Sequence, residues 1–528
     1  MGIEDYRVGK CPGLGLCKTS FPTIIPTPMI PFIRTLPILF LFSLFLPVSA
    51  ADDPKEKKAE EKKPLKTPDP VSKNAKITIA GKEIPYTVTT GKIVLRDDEG
   101  EPKASIFHVS YVRDKTENEP DRPVMFAFNG GPGSSSVWLH LGILGPKRVS
   151  LPGDGTQPMT PPARLIENEY SILDVCDLVF IDPVSTGYSR VEKKGEAKDY
   201  YGIEGDIKSV GEFIRKWISE NKRWDSPKYL CGESYGGIRA AGLAEHLQNR
   251  YGMSLNGVVL LSSLLDYRTL LPAQGSQLSH QVFLPAFMTT AHYHKQIEGD
   301  REALLKEVRE FAFGEYTLAL LKGTAISEDE LAVVSGKLEK FTSLPADFWK
   351  RKNLRINPSE FRAELLREEG KVVGRFDSRV AWDATNSEAD FATYDPSYSL
   401  AIGAFSTAML SYLVEDLGWN EEEHYEVLTS KVHPWRYDSD NRVVNLTDRL
   451  VSAIRDNPKL EILVMGAYAD LATPPAGVPY SFSQSMSFPK PLRDQISYTY
   501  YEAGHMFYLN PPDLVKSRAD LVEFLKKN

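Results

Sequence analysis

The sequence predicts an α/β protein, a mixed, mostly parallel sheet flanked by helices, with a mostly helical insertion. Three observations predict it. Val124–Phe128 and Gly257–Leu261 are apolar throughout, and Asp177–Asp182 and Leu460–Met465 are built on the apolar runs Leu178–Ile181 and Ile462–Met465, as expected of strands covered on both faces. Amphipathic or helix-favouring stretches alternate with them. From about Asp266 to Arg449 that alternation lapses and helical patterns dominate.

Residues 1–50 read as a leader rather than as part of the fold. Arg34 precedes the apolar run Leu36–Val48, and Val48, Ser49 and Ala50 supply small residues for cleavage before Ala51. The run falls short of the roughly 20 residues of a bilayer span. The expectation is an exported chain, secreted or periplasmic, cut near Ala50, with no stable membrane anchor. The long lead-in points to Met29 as the start. The whole chain carries a formal charge of −8; without residues 1–50 it is −10, from 59 basic and 69 acidic side chains. There is no basic footprint, so nucleic acid is excluded as a partner. Cys176 and Cys231 fall at opposite ends of predicted strands, roughly 15 Å apart at about 3.3 Å per residue. A disulfide spans only about 7 Å between Cα atoms, so two free, buried thiols are expected.

Residues 51–74 are dense in Lys, Glu, Asp and Pro and are expected to form a disordered tether. The first part of the core is placed at 75–265. It opens as an antiparallel meander (Lys76–Ile79, Ile93–Leu95, Ala104–Val112) punctuated by Gly81, Gly91, Asp97 and Gly100. His108 sits on a strand and is assigned a structural role. The strand Val124–Phe128 then enters the glycine-rich run Asn129–Ser136, which has neither the ending of a P-loop nor a dinucleotide spacing. A helix over Asp206–Ser219, a strand at Tyr229–Cys231, a helix from Ile238 and a strand at Gly257–Leu261 follow.

The insertion is placed at 266–449, with helices at Asp300–Phe313, Ser327–Phe341, Glu360–Glu369 and Ser406–Leu417. His292 and His294 within it are two apart, which does not share a helix face, and no metal-ligand spacing is completed nearby. Asn445-Leu446-Thr447 is a glycosylation sequon. The core resumes at 450–528, with strands Leu460–Met465 and Ile496–Tyr501 and a final helix Pro512–Lys526.

Gly232-Glu233-Ser234-Tyr235-Gly236 is a G-x-S-x-G pentapeptide at a strand-to-helix switch, the context of a nucleophile elbow. A serine hydroxyl needs an adjacent base, and that base needs a carboxylate to orient it. The order Ser234, Asp470, His505 is that of α/β-hydrolases, with Asp470 and His505 at the ends of successive strands. A tetrahedral intermediate needs two backbone donors, assigned to the N–H groups of Gly131 and Tyr235. Neither a metal nor a cofactor is called for.

Five stretches together, Asn129–Ser136, Asp182–Ser189, Gly232–Gly237, the Asp470 loop and Gly504-His505-Met506, resemble the serine carboxypeptidase family over the chain from about Ala75 onward. The resemblance implies an α/β-hydrolase fold with the insertion as a cap, and a peptide or protein as substrate. It implies that Asn129, Glu233 and the N–H of Gly130 bind the substrate's terminal carboxylate, and that Met506 lines the leaving-residue pocket. Glu233 must then be protonated to donate, which calls for a raised pKa. The chain departs from the family pattern in two places. Ser134 stands where the family usually has cysteine. A second carboxylate-binding glutamate is expected near Ile143, and no acidic residue lies between Gly133 and Gly153. Lys147, Arg148 or His140 could supply a positive partner instead. The weakened carboxylate recognition leaves room for an esterase or acyltransferase on the same site, and a third reading is an inactive binding protein of the same fold.

Overall fold

The computed structural model describes residues 68–115, 119–271, 276–440 and 442–527. The leader and most of the tether lie outside the described residues. Strands β1 (Val71–Ile79), β2 (Lys82–Arg96) and β3 (Pro102–Arg113) form the antiparallel meander. It starts earlier than the sequence suggests: Val71–Asn74 already pair with Thr87–Thr90, so the tether ends before residue 71. Gly91 is not a turn. It lies inside β2 opposite His108, where an added Cβ would come 3.1 Å from the Cβ of Pro70. The alternation of Ile84, Tyr86 and Val88 on the buried face carries β2 through it.

After β4 (Val124–Phe128), the strands β5 (Lys147–Val149) and β6 (Leu165–Glu167) make a small side hairpin. The main sheet continues through β7 (Asp177–Ile181), the short β8 (Arg190–Val191), β9 (Lys228–Glu233) and β10 (Gly257–Leu261). A second small hairpin, β11 (Lys371–Val373) and β12 (Ala381–Asp383), belongs to the insertion. Strands β13 (Glu461–Ala467) and β14 (Ile496–Tyr501) complete the sheet. Its order is β1-β2-β3-β7-β4-β9-β10-β13-β14, with β8 beside β3, and from β7 to β14 every pairing is parallel.

Alternate residues of each buried strand feed opposite layers, as a pleated strand requires. Met125 and Ala127 of β4 pack into one core with the final helix Pro511–Lys527, and Phe126 and Phe128 into the other. That second layer is built by the amphipathic helices Ile203–Glu220, Gly236–Tyr251 and Thr447–Asp456. Cys176 and Cys231 are buried and free. The register sets their strands on either side of β4, with Asp177 opposite Val124 and Cys231 opposite Ala127.

In the insertion, Asp300 and Ser327 cap helices Arg301–Phe313 and Glu328–Thr342, close to the expected bounds. The helix expected from Ser406 begins ten residues earlier, at Pro396, capped by Asp395. Helix Leu278–Tyr293 has no counterpart in the sequence reading. It is buried on nearly every face, so its apolar residues show no period of 3.6. His292 and His294 at its end each face a backbone carbonyl, of Gly299 and Ser378, and among the described residues no His, Cys and carboxylate cluster could hold a metal.

Candidate active site

The chain leaves β4 toward β7 on one side and reaches β9 on the other. At that reversal open α/β sheets hold their sites, beyond the carboxyl ends of the strands. Asn129 follows β4 directly, and Glu233 ends β9 with Ser234 next.

Ser234 has φ of 62°, a left-handed conformation unusual for a residue with a side chain. The turn is that tight because β9 passes straight into the helix Gly236–Tyr251. A Cβ on Gly232 would lie 2.1 Å from the carbonyl oxygen of Gly236, so that position admits no side chain. The Asn129 loop presses against the same turn. A Cβ on Gly130 would meet the backbone nitrogen of Tyr235 at 2.4 Å. The N–H groups of Gly131 and Tyr235 therefore come from adjacent backbones, and among the described residues neither makes a hydrogen bond.

The Asp470 and His505 loops follow the neighbouring strands β13 and β14. His505 Nδ1 lies 2.8 Å from Asp470 Oδ2. The other carboxylate oxygen, Oδ1, accepts the backbone N–H groups of Ala472 (2.7 Å) and Thr473 (2.8 Å). The Thr473 hydroxyl lies 2.8 Å from Oδ2 and 3.0 Å from His505 Nδ1. Burial disfavours a charged imidazole, but the charge and hydrogen bond of Asp470, with Glu233, outweigh it and hold His505 above its ordinary pKa. Ser234 and His505 line one cavity with Asn129, Gly130, Gly131, Glu233 and Met506. The structure thus gathers nearly every residue singled out by the sequence; Tyr235 contributes its backbone beside that cavity.

Within the cavity Glu233 is buried, and the Tyr508 hydroxyl donates to its Oε2 at 2.9 Å. Burial pushes the carboxyl up to about 7, against the charge of His505 and hydrogen bonds from Tyr508 and Asn129, while the Asp470 charge adds to the rise. Asn129 Oδ1 accepts the Leu139 N–H at 3.1 Å, which turns its amide donors away from that helix start. Trp138, Phe376, Tyr398 and Leu428 complete an aromatic and apolar wall, the last three supplied by the insertion.

Residues 97–399, more than half of the chain, match the family described as serine carboxypeptidase. The chain belongs to this family. It is 28% identical over 186 residues to serine carboxypeptidase-like 13 of Arabidopsis thaliana (35% of this chain, 41% of that one). It is 28% identical over 245 residues to serine carboxypeptidase-like 3 of the same plant (43% and 52%). The chain thus spans about half or less of the length of these curated relatives. Among solved structures, Kex1(delta)p, a prohormone-processing carboxypeptidase from Saccharomyces cerevisiae, superposes with a TM-score of 0.52 at 16% identity. That alignment covers 84% of this chain and 92% of the yeast chain, and shows a shared fold.

Two departures from the family pattern have structural counterparts. At the first, the Ser134 hydroxyl accepts the Trp138 indole N–H at 3.0 Å. Its loop is stitched to the insertion by backbone bonds, Ser135 N–H to Val427 (3.0 Å) and Thr429 N–H to Gly133 (2.9 Å). Ile143 is a buried apolar residue. None of the three basic candidates lines the cavity. Lys147 faces Glu167, Arg148 lies over the Tyr170 ring, and His140 is enclosed by Tyr111, Phe180 and Tyr412. Burial pushes His140 down to about 3, so it is neutral.

Tyr508, Thr473 and Arg239 escaped the sequence reading. Arg239 had a visible signal, a lone charge in the small and apolar run Ile238–Leu243. Its fully buried guanidinium pairs with Asp206 (Nε to Oδ2, 2.9 Å), donates to the Asn129 carbonyl, and lies over the rings of Phe128 and Tyr235. It thus clamps the Asn129 loop to the elbow helix. Arg239→Met is expected to destabilise the fold by about 3–5 kcal/mol, because Asp206 is left buried without its partner. Adding Asp206→Leu should restore much of that stability while leaving the Asn129 carbonyl unpaired and turnover low. Urea unfolding beside steady-state kinetics checks both. Recovery of full activity in the double variant would show that the clamp has no part in positioning the loop.

Proposed function

We propose that this protein is an exported serine-type carboxypeptidase that releases C-terminal residues from peptides through an acyl-enzyme on Ser234. His505, aligned by Asp470, takes the Ser234 proton as Oγ attacks the last peptide carbonyl. The resulting oxyanion is held by the N–H groups of Gly131 and Tyr235. Collapse breaks the C–N bond, and His505 hands its proton to the departing amine. A water molecule, deprotonated by His505, then releases the peptide from Ser234. Asn129, the N–H of Gly130 and protonated Glu233 hold the terminal carboxylate, and Met506 borders the leaving residue. The chemistry needs no metal or cofactor. Export rests on the leader pattern ending at Ala50, which N-terminal sequencing of the mature protein tests.

One observation carries the reading: a carboxyl group with a pKa near 7, Glu233, in the same cavity as Ser234 and His505. Hydrolysis alone has no use for a second protonatable carboxyl there, whereas recognition of a carboxylate does. The esterase or acyltransferase reading is favoured by the apolar Ile143 and by the distance of Lys147, Arg148 and His140 from the cavity. An inactive binding protein has no need of the Asp470–His505 pair. The test is a pH series on an N-blocked dipeptide, its C-terminal amide and the matching ester. The carboxypeptidase reading expects the free acid to be cleaved best, with activity falling as pH rises through about 7. Equal or better cleavage of amide and ester, with no acidic optimum, replaces it with the esterase reading.

A further inference from the structure

The segment Arg375–Ser378 of the insertion is fastened to both loops that carry Asp470 and His505. The Leu471 N–H donates to the Arg375 carbonyl (3.1 Å), the His505 N–H to the Phe376 carbonyl (2.5 Å), and the Ser378 N–H to the Ala469 carbonyl (2.9 Å). The Phe376 ring lines the cavity 5.2 Å from the His505 ring. The Arg375 guanidinium rests on the outer side of the segment, 4.3 Å from the Phe376 centroid and 46% exposed. The Phe376 ring thus carries an arginine charge against it as well as the His505 imidazole.

That charge is only partly neutralised. Its nearest anion, Asp395, lies 3.8 Å away and is shared with the buried Arg362 at 3.9 Å, so two guanidinium groups face one carboxylate. Asp377 is committed to Arg379, which also faces Asp154. Among the residues that line the cavity, Glu233 is protonated on the acid side of about 7, and, against the effect of burial, Asp470 holds His505 above its ordinary pKa. Arg375 also acts on the cavity electrostatically, being one of the groups that lower the pKa of His505. Arg375 does not line the cavity itself; its charge lies against Phe376, which does.

We propose that Arg375 is a substrate-contacting specificity residue, which favours peptides bearing a carboxylate side chain, Asp or Glu, beside the scissile bond. The inference rests on the reading of the cavity as a peptide site. The Arg375 side chain is half-exposed and, among the described residues, makes only the Asp395 pair and the contact with the Phe376 ring, while its backbone holds the segment, so Arg375→Gln and Arg375→Glu should fold.

The test compares kcat/KM for N-blocked dipeptides that differ only as Glu against Gln, at each side of the scissile bond, in the wild type and both variants. The isosteres hold size and hydrogen bonding close, so their ratio reads charge. At low salt the wild type should prefer Glu over Gln about fivefold at one of the two positions, the effect of a partly screened ion pair. The preference should shrink in 0.5 M salt, vanish in Arg375→Gln and invert in Arg375→Glu. A ratio that is the same in all three proteins overturns the proposal. So does a change confined to the preference for a free acid over its amide, which would make Arg375 a reader of the main-chain carboxylate. N-blocked Glu and Gln esters run in parallel. If no peptide is cleaved but the esters are, the carboxypeptidase reading fails by itself, and the ester ratio still decides the role of Arg375.

Discussion

Asp470→Asn should lower kcat about 10⁴-fold with little change in KM, as expected when an imidazole is held in the wrong tautomer. The direction follows from the hydrogen bonds at the carboxylate. Oδ1 accepts two backbone N–H groups, from Ala472 and Thr473, and so must remain an oxygen. The amide nitrogen of asparagine is therefore forced onto the Oδ2 side, where it points a donor at His505 Nδ1, 2.8 Å away. Nδ1 must then accept, the proton moves to Nε2, and the ring can no longer take a proton from Ser234. Kinetics on any cleaved substrate, with a melting curve to show that the fold persists, decide it. A fall of less than tenfold would show that Asp470 does not set the tautomer.

Glu233→Gln should remove the alkaline fall in activity on free-acid peptides. In the wild type, a group with a pKa near 7 can donate to a substrate carboxylate only while protonated. Above about pH 7 it becomes a second negative charge facing the first, and kcat/KM should fall about tenfold per unit. Glutamine keeps an N–H donor at every pH and should overtake the wild type by about pH 9. Stability supplies a second readout. The folded pKa of about 7 exceeds the ordinary 4.5, so the native state holds its proton where the unfolded chain has lost it. Its stability contribution is full below pH 4.5 and is lost as pH rises through 7, about 3 kcal/mol in all. The glutamine variant should escape that loss and melt above the wild type at pH 8. Parallel pH profiles for the two proteins would overturn the role of Glu233.

The parallel sheet was legible because its strands are short apolar runs that cannot be mistaken for amphipathic helices, and β10 and β14 fall at the expected residues. The candidate site was legible because its chemistry sits in local motifs, each at the end of one of those strands. Helix Leu278–Tyr293 was not legible, because a helix buried on nearly every face carries no periodicity. The first half of Pro396–Ser411 was not legible because the exposed face of that helix is built of small, uncharged residues, Ser399, Gly403 and Thr407, that set up little contrast with the buried one. The long first hairpin was cut short at Gly91, a glycine that serves close approach to Pro70 rather than a turn. Phe376, Tyr398 and Leu428 belong to no motif. They reach the cavity only through tertiary packing, and no spacing along the chain announces them.

The fastening of Arg375–Ser378 to the Asp470 and His505 loops bears on how freely such a protein can be remodelled. A cap joined to its core by two hinges alone could be exchanged for another, as a handle is changed on a tool. Here the loop carrying His505 borrows its shape from the inserted chain: a Cβ on Gly504 would lie 2.2 Å from the Phe376 carbonyl oxygen. Excising the insertion would leave that loop without its mould. New specificity is more readily sought by changing side chains on the inserted segment than by grafting a different one.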